Sequence, residues 1–560
     1  MSSHSSNVFN RVGSLKPRRS KFDLSYRNNF TCKMGQLIPV MCDEAVPGDY
    51  FKIGNELLIR FQPLAAPIMH EISATVHYFF VPYRLLWDKW EEFIVQGDTP
   101  PLPLSIPKCV VTPSNLLKGT PWDYFGMPFF DGVVPGSVVA QSCPIAFPFL
   151  AYNKIWNEYY RDENLQDEVR DTIITSESSI FPIVDSEIEI RYRNWKKDYF
   201  TAALPFRQKG QSPALPVNIV GNDYAGDTAS YFARTTFRNS LSPNVNFTSP
   251  AVNSSTITST GTTTELFATQ VGGTGSDRSM ALGVLGHDIA STIRASTFNV
   301  SDLRLSFQIQ KWLERNARAG TRYTSFLQSH FGVSPNDSRL DRPEYIGGTK
   351  QPVIISEVLQ TSQTTEGSNG SPLAQMGGHG LGADAQYAGS YNVQEFGLIM
   401  GLLSIMPKPS YQQGMNRQWL RSVPTDFYFP EFSHLSEQAI VRREIFTNFT
   451  SGDNQIFGYT GQYDEMRVKH DIVSGEMRVK RIGGSAPWTT EDQLSFWNMT
   501  RLFSTAPNLN SAFISTKNTI PEDRVFAVTG VDTMIVNCLN KIHAIRPMPL
   551  IAEPGLVDHF

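Results

Sequence analysis

Residues 55–82 read NELLIRFQPLAAPIMHEISATVHYFFVP, and the period of this stretch decides the fold class. Leu57, Ile59 and Phe61 alternate, and after Pro63 so do Ile72, Ala74, Val76, Tyr78 and Phe80. Alternation at period two puts one set of side chains on one face of an extended chain, so two half-buried β-strands are predicted. Val353–Val358, Val393–Met406, Phe427–Phe429 and Thr533–Leu539 are further strand candidates. The run FGLIMGLLSIM, Phe396 to Met406, falls short of the ~20 apolar residues that span a bilayer and predicts a buried strand.

Helical spacing is confined to short segments. Leu85 to Ile94 predicts a helix with Leu86, Trp90, Phe93 and Ile94 on one face, and Tyr152–Glu163 predicts another, offering Ile155, Trp156 and Tyr159. Between them residues 100–148 hold prolines such as Pro100, Pro101, Pro103 and Pro107, too dense for long helices or central strands. Further on, Ser301 can cap a helix with Leu305, Ile309, Trp312 and Leu313 at helical spacing; Gly320 ends it. A second short helix carries Phe326 and Leu327 before Gly332. Spacing alone makes this pair a buried helical excursion. EMRVK at Glu465–Lys469 recurs at Glu476–Lys480 and predicts two strands paired around a turn. Without βαβ alternation, short strands with long, partly helical connections predict a mainly β, antiparallel sandwich elaborated by insertions.

Composition narrows the function classes. At 560 residues the chain exceeds what one core usually supports, so it has several domains or one domain with very large loops. Charged residues make up 18%, below the roughly 25% of ordinary soluble chains. With 12% aromatics, this suits a surface largely covered by neighbours. MSSHSSNVFNRVGSLK lacks the apolar core of a secretory leader, and no membrane insertion is expected. Cys32, Cys42, Cys109, Cys143 and Cys538 show no CxxC spacing and fit reduced, buried thiols of a protein made in a cytoplasm. Residues 1–33 carry Arg11, Lys16, Arg18, Arg19, Lys21, Arg27 and Lys33 against Asp23, a charge of +6. The total is −4, so residues 34–560 carry −10. A basic arm on an acidic body fits a nucleic-acid-binding tail; a solvated terminus, or an arm tied onto a neighbouring subunit, are the alternatives. After Phe206 the composition shifts: 18 of the 32 residues in 249–280 are Ser, Thr or Gly. A β-rich, solvent-facing protrusion is expected there, with a loop of no function as the other reading.

No catalytic constellation emerges. GxSxG, Walker A, HExxH and EF-hand patterns are missing from the sequence. His70 and His77, seven apart, would face opposite sides of a strand. His379 in GGHG reads as a Gly-rich surface turn. Tryptophans such as Trp312 and Trp419 read as core or interface anchors. Neither a metal nor a cofactor is expected, nor enzymatic activity.

Several longer strings carry a family resemblance. SNVFNRV and KFDLSYRNNFTCKMGQLIPV near the start, PGDYFKIGNELLIRFQPLAAPIMHEISATVHYFFVPYRLLWDKWEEFI, and SDLRLSFQIQKWLERNARAGTRYTSFLQSHFGVSPNDSRLDRPEYIGG at 301–348 are joined by YQQGMNRQWLR at 411–421, DFYFPEFSHLSEQAI at 426–440 and SGEMR at 474–478. Together they resemble the major capsid proteins of gokushoviruses, microviruses that infect bacteria and carry single-stranded DNA. The match covers roughly 30–210 and 300–480, is weak through 210–298 and thins after 500.

The resemblance implies an eight-stranded antiparallel jelly-roll sandwich with long, partly helical loop insertions. On that reading 1–33 is the basic arm and 34–560 a single capsid domain, interrupted at 209–298 by a variable insertion that forms a threefold protrusion. About sixty copies would close a T=1 icosahedral shell around a circular single-stranded DNA genome. Arg11, Lys16, Arg18, Arg19, Lys21 and Arg27 would contact the packaged strand. Asn246, Asn253, Thr258, Thr262 and Thr264 would belong to a host-recognition loop. Trp312, Phe326 and Trp419 would sit at subunit interfaces. Implied partners are further copies, internal scaffolding, DNA-pilot and small basic DNA-binding phage proteins, and a host cell-surface receptor. The implied location is the virion capsid, assembled in the bacterial host cytoplasm. A jelly-roll carbohydrate-binding or adhesin protein is the alternative from another class; a jelly-roll enzyme would need an acid pair or metal site that the sequence does not reveal.

Overall fold

The computed structural model describes residues 17–95, 105–109, 117–130, 143–173, 180–181, 189–213, 300–359, 376–433, 435, 437–481, 488–489 and 493–551, with five short strands between 235 and 284. The chain divides into two compact units, Met1–Lys209 with Glu314–Phe560, and Gly210–Leu313.

Two antiparallel sheets form the body of the first unit. Its strands are β1 (Ser20–Asp23), β2 (Tyr26–Cys32), β3 (Ile38–Ala45), β4 (Tyr50–Phe61), β5 (Ile72–Pro82), β6 (Glu344–Pro352), β7 (Ile354–Leu359), β8 (Met376–Asn392), β9 (Gly397–Pro407) and β10 (Met534–Arg546). One sheet runs β1–β10–β4–β8–β7, with β2 also on β10, and the other runs β6–β5–β9–β3. The chain crosses between the sheets from β2 to β3, β3 to β4, β4 to β5, β6 to β7, β8 to β9 and β9 to β10, the interleaving of a jelly roll. The sheets hold six and four strands rather than an even four and four. The first strand is split where the Asp23 carboxylate accepts the Ser25 amide at 3.1 Å, and β7 adds an edge.

The period-two reading holds. Ile72, Ala74, Val76, Tyr78 and Phe80 of β5 meet Phe51, Ile53, Leu57, Ile59 and Phe61 of β4 in the inter-sheet core. β9, the strand foreseen from FGLIMGLLSIM, is buried along its whole length. Ile399, Leu403 and Ile405 face the inter-sheet core, while Leu398, Met400 and Leu402 face a second core built on Trp87 and helix α1 (Phe147–Ile155). Apolar layers on both faces explain why its sequence runs on without alternating. The cysteines are free, four of them buried, and burial holds the Cys42 and Cys538 thiols up at about 12.

Four local expectations are corrected. GGHG is not a turn but part of β8, where a Cβ on Gly380 would lie 2.5 Å from the Phe61 ring and one on Gly378 2.9 Å from Ala66 O. The two EMRVK copies do not pair: the first lies in a helical turn, Asp464–Arg467, the second in a 3-10 turn at Gly475–Met477. Phe427–Phe429 is not a strand but links 3-10 turns that start at Pro424 and Pro430. The pair of helices is not buried either. In α2 (Val300–Ala319) only Ala317 is buried, and in α3 (Tyr323–Phe331) no residue is. The spacing rule identified the apolar stripe but not what covers it.

The second unit holds, besides the start of α2, a three-stranded sheet ordered Leu266–Gln270, Met280–Val284, Thr235–Phe237 and a hairpin of Ile257–Ser259 with Thr262–Thr264.

Candidate functional site

The outward face of the six-stranded sheet is one candidate. Residues directly opposite in an antiparallel ladder share a face. Register therefore aligns Thr31, Ile535, Arg60, Leu381 and Ile354 in one row, and Arg27, Leu539, Glu56 and Ala385 in another. A third row holds Asp23, His543, Lys52 and Ser390, and a fourth Lys21, Ile545, Tyr50 and Asn392. Ile535, Leu58, Ile354 and Tyr387 are among its exposed apolar side chains, so the face stands open to solvent. Its charge is mainly positive. Lys541 pairs with Glu56, and His543 Nδ1 stands 3.6 Å from Asp23. Lys21, Arg27, Lys52 and Arg60 are exposed and have no ion pair among the described residues. Four cations without an ion pair among the described residues, spread over an open sheet face, can track a polyanion.

Of the six arm residues named from sequence, Lys21 and Arg27 lie on this face, Arg18 and Arg19 are exposed just before β1, and Arg11 and Lys16 lie outside the described residues. Lys52, Arg60 and Lys541 escaped the sequence reading. Each is a single cation in an alternating strand, and only the register brings it beside the arm.

Exposed aromatic segments form the second candidate. Residues 417–432 fold as three 3-10 turns, Arg417–Trp419, Pro424–Asp426 and Pro430–Phe432. The Asp426 carboxylate accepts the Ser422 and Val423 amides at 2.8 and 3.1 Å, which lowers its pKa. The root is firm. Arg417 Nη1 donates to Ala439 O at 2.8 Å and to the buried Glu444 carboxylate at 3.0 Å, which also accepts Tyr199 OH at 2.9 Å. Burial pushes Glu444 up, and the Arg417 guanidinium opposes that shift. On this root Trp419 is 74% exposed, and Phe427, Tyr428 and Phe429 project with it. Arg421 stacks over Phe427 at 5.3 Å.

Phe449 is the most exposed aromatic of this region, at 86%, and its backbone is left-handed, φ 58°. That conformation is uncommon for a bulky residue and costs about 1–3 kcal/mol. The buried Asp453 carboxylate holds it by accepting the amides of Asn448 at 3.0 Å and Phe449 at 2.7 Å. A strained ring displayed by a fixed loop marks a contact site more than a loose surface does.

Trp312 on α2 is 49% exposed, beside Leu305 and Phe307, whereas Phe326 on α3 is half-buried against His330 at 4.5 Å. Arg322 fixes the turn between the helices by pairing with Glu163 at 3.2 Å. Trp312, Phe326 and Trp419 thus lie on three separate elements. Asn246 and Asn253 fall outside the described residues. Thr258 stands opposite Thr263 in its hairpin, out of phase with Thr262 and Thr264.

Comparison with known proteins finds relatives along nearly the whole chain. A family model described as capsid protein (F protein) matches residues 10–556. The chain is 32% identical to the Capsid protein VP1 of Chlamydia phage 1, over 98% of each chain. It is 29% identical to the Capsid protein VP1 of Bdellovibrio phage phiMH2K, over 100% of this chain and 99% of that one. Identity is likewise 29% to the Capsid protein VP1 of Spiroplasma virus 4, over 96% and 95%.

Proposed function

This chain belongs to the phage capsid protein (F protein) family, and from that premise we propose how its two open surfaces divide the work of a shell. It is a major capsid protein, structural rather than enzymatic, and its place is the virion capsid. About sixty copies close a T=1 shell, through heterologous contacts around its fivefold and threefold axes and isologous ones across its twofold axes. Trp419, Phe427 to Phe429, Phe449 and the α2 stripe with Trp312 join the copies, since large exposed aromatics are what a monomer rarely leaves uncovered. The open sheet face looks inward and, with the arm from Arg11 to Lys33, holds the packaged single strand.

The observation carrying this reading is the set of cations Lys21, Arg27, Lys52 and Arg60 on one open face, without an ion pair among the described residues. A strand laid across them displaces counterions without base recognition, as packaging of an arbitrary genome requires. Residues 209–298, with Asn246, Asn253, Thr258, Thr262 and Thr264, form the protrusion that meets a host cell-surface receptor. Internal scaffolding, DNA-pilot and small basic DNA-binding phage proteins complete the set of partners.

Sedimentation and electron microscopy of the protein made with its phage's other genes test the assembly. Uniform particles near ~3.8 MDa, from roughly sixty copies, are expected. Monomers or small oligomers alone, despite those partners, would refute the shell geometry.

A further inference from the structure

A cavity of about 420 Å³ lies on the outward side of the four-stranded sheet, away from the inter-sheet core and on the opposite side of the sandwich from the open basic face. Thr75 and His77 of β5 line it next to Gly348 and Lys350 of β6, which are their register partners. Four cations converge there, Arg193, Lys196, Lys350 and Lys408, against one lining carboxylate, Glu71. Asp471 takes Lys408 at 2.8 Å. Arg193, Lys196 and Lys350 have no acidic partner among the described residues.

Arg193 is fixed by neutral groups instead. Its Nη1 donates to Thr75 Oγ1 at 2.7 Å and Ser404 Oγ at 2.9 Å, and its guanidinium lies over the Tyr160 ring at 5.8 Å. His77 shares a 2.8 Å hydrogen bond with Tyr160 OH, and burial, aided by Arg193, holds its pKa down at about 4. The imidazole is therefore neutral at physiological pH, and the positive charge comes from permanent cations. A Cβ on Gly348 would lie 2.7 Å from both the His77 ring and the Tyr345 hydroxyl, so glycine keeps the floor clear.

We propose that this cavity binds a phosphate group, held by Lys196 and Lys350 at the rim and Arg193 at the floor. A tetrahedral dianion has oxygens enough for three separate cationic donors, and a guanidinium braced by hydroxyls is positioned for such an oxygen before the ligand arrives. A strand lying across the open face of the other sheet does not reach this side, so the site is independent of the genome contact. Its phosphate comes either free from solution or as an ester displayed on another molecule.

Calorimetric titration of the full chain tests this with inorganic phosphate, sn-glycerol 3-phosphate, uncharged glycerol and a 20-nucleotide dT strand. Saturable binding of sn-glycerol 3-phosphate without binding of glycerol is expected. Lys196→Gln with Lys350→Gln, both at exposed positions, weakens it about tenfold or more while leaving the thermal midpoint unchanged. Inorganic phosphate binding as tightly as the ester identifies a free-anion site, and preference for the ester identifies a displayed one. Equal response to glycerol and its phosphate, or binding indifferent to the double substitution, overturns the proposal. So does binding of dT alone that is lost with the double substitution, which would make the cavity a nucleic-acid surface.

Discussion

Replacing Lys21, Arg27, Lys52 and Arg60 together by glutamine removes four cations from the open sheet face and leaves its backbone ladder intact. All four side chains are exposed, so folding stability should stay within roughly ±0.5 kcal/mol per substitution. Single-stranded DNA binding should change far more. Each phosphate contact contributes about −0.7 to the slope of log affinity against log salt, so losing four flattens that slope by about 2.8. At ~0.15 M salt the same loss amounts to about two log units, roughly a 200-fold weaker complex. Fluorescence anisotropy with a labelled dT strand over a salt series measures both quantities. Glutamines at Arg339, Arg467, Lys469 and Lys517, exposed cations on no strand of this sheet, provide the control with equal charge loss. If face and control variants lose the same affinity and slope, net charge alone explains binding and the face has no special part in it.

Phe449→Gly relieves the left-handed strain and should leave the free chain as stable or up to about 1 kcal/mol more so, while particle yield falls; unchanged yield in electron micrographs would remove Phe449 from the interface. Gly380→Ala forces a methyl within 2.5 Å of the Phe61 ring and should cost about 1–3 kcal/mol in a urea melt. Glu522 is held up at about 7, chiefly by burial. An acid whose folded pKa lies above its unfolded value loses stability as pH rises between the two, here from about 4.5 to 7, by about 3 kcal/mol. Glu522→Gln keeps an acceptor for the Met34 amide and should flatten that decline relative to wild type, as urea midpoints at pH 4.5 and 8 will report.

The strands most legible in the sequence were those whose burial is uniform along a face. β5 showed itself by alternation, and β9 by an apolar run that two cores account for. What misled was identical or similar local sequence in different surroundings. Both EMRVK copies have strand-like composition, yet Tyr463 in a left-handed conformation starts a helical turn at the first. FYF reads as a strand until the flanking prolines, Pro424 and Pro430, are seen to begin turns. The glycines of GGHG look like a turn, and only the Phe61 ring and the Ala66 carbonyl explain them as a close approach inside β8. At the candidate site, charge density exposed the arm, because seven cations in 33 residues is a local property.

The sequence by itself determined the strand-rich class, the basic arm, the buried thiols and, through its long matching strings, the family. Side-chain alternation and composition act over a few residues and leave their mark wherever they act. Only the tertiary structure decided that Lys52 and Arg60 of β4 share a face with Lys21 and Arg27, through their common partner β10 nearly five hundred residues along the chain. It also decided that the apolar stripe of α2 stays exposed and that three lone cations gather around one cavity. Register between remote strands is set by the packing of the whole core, and a one-residue slip would turn every one of these side chains to the opposite face.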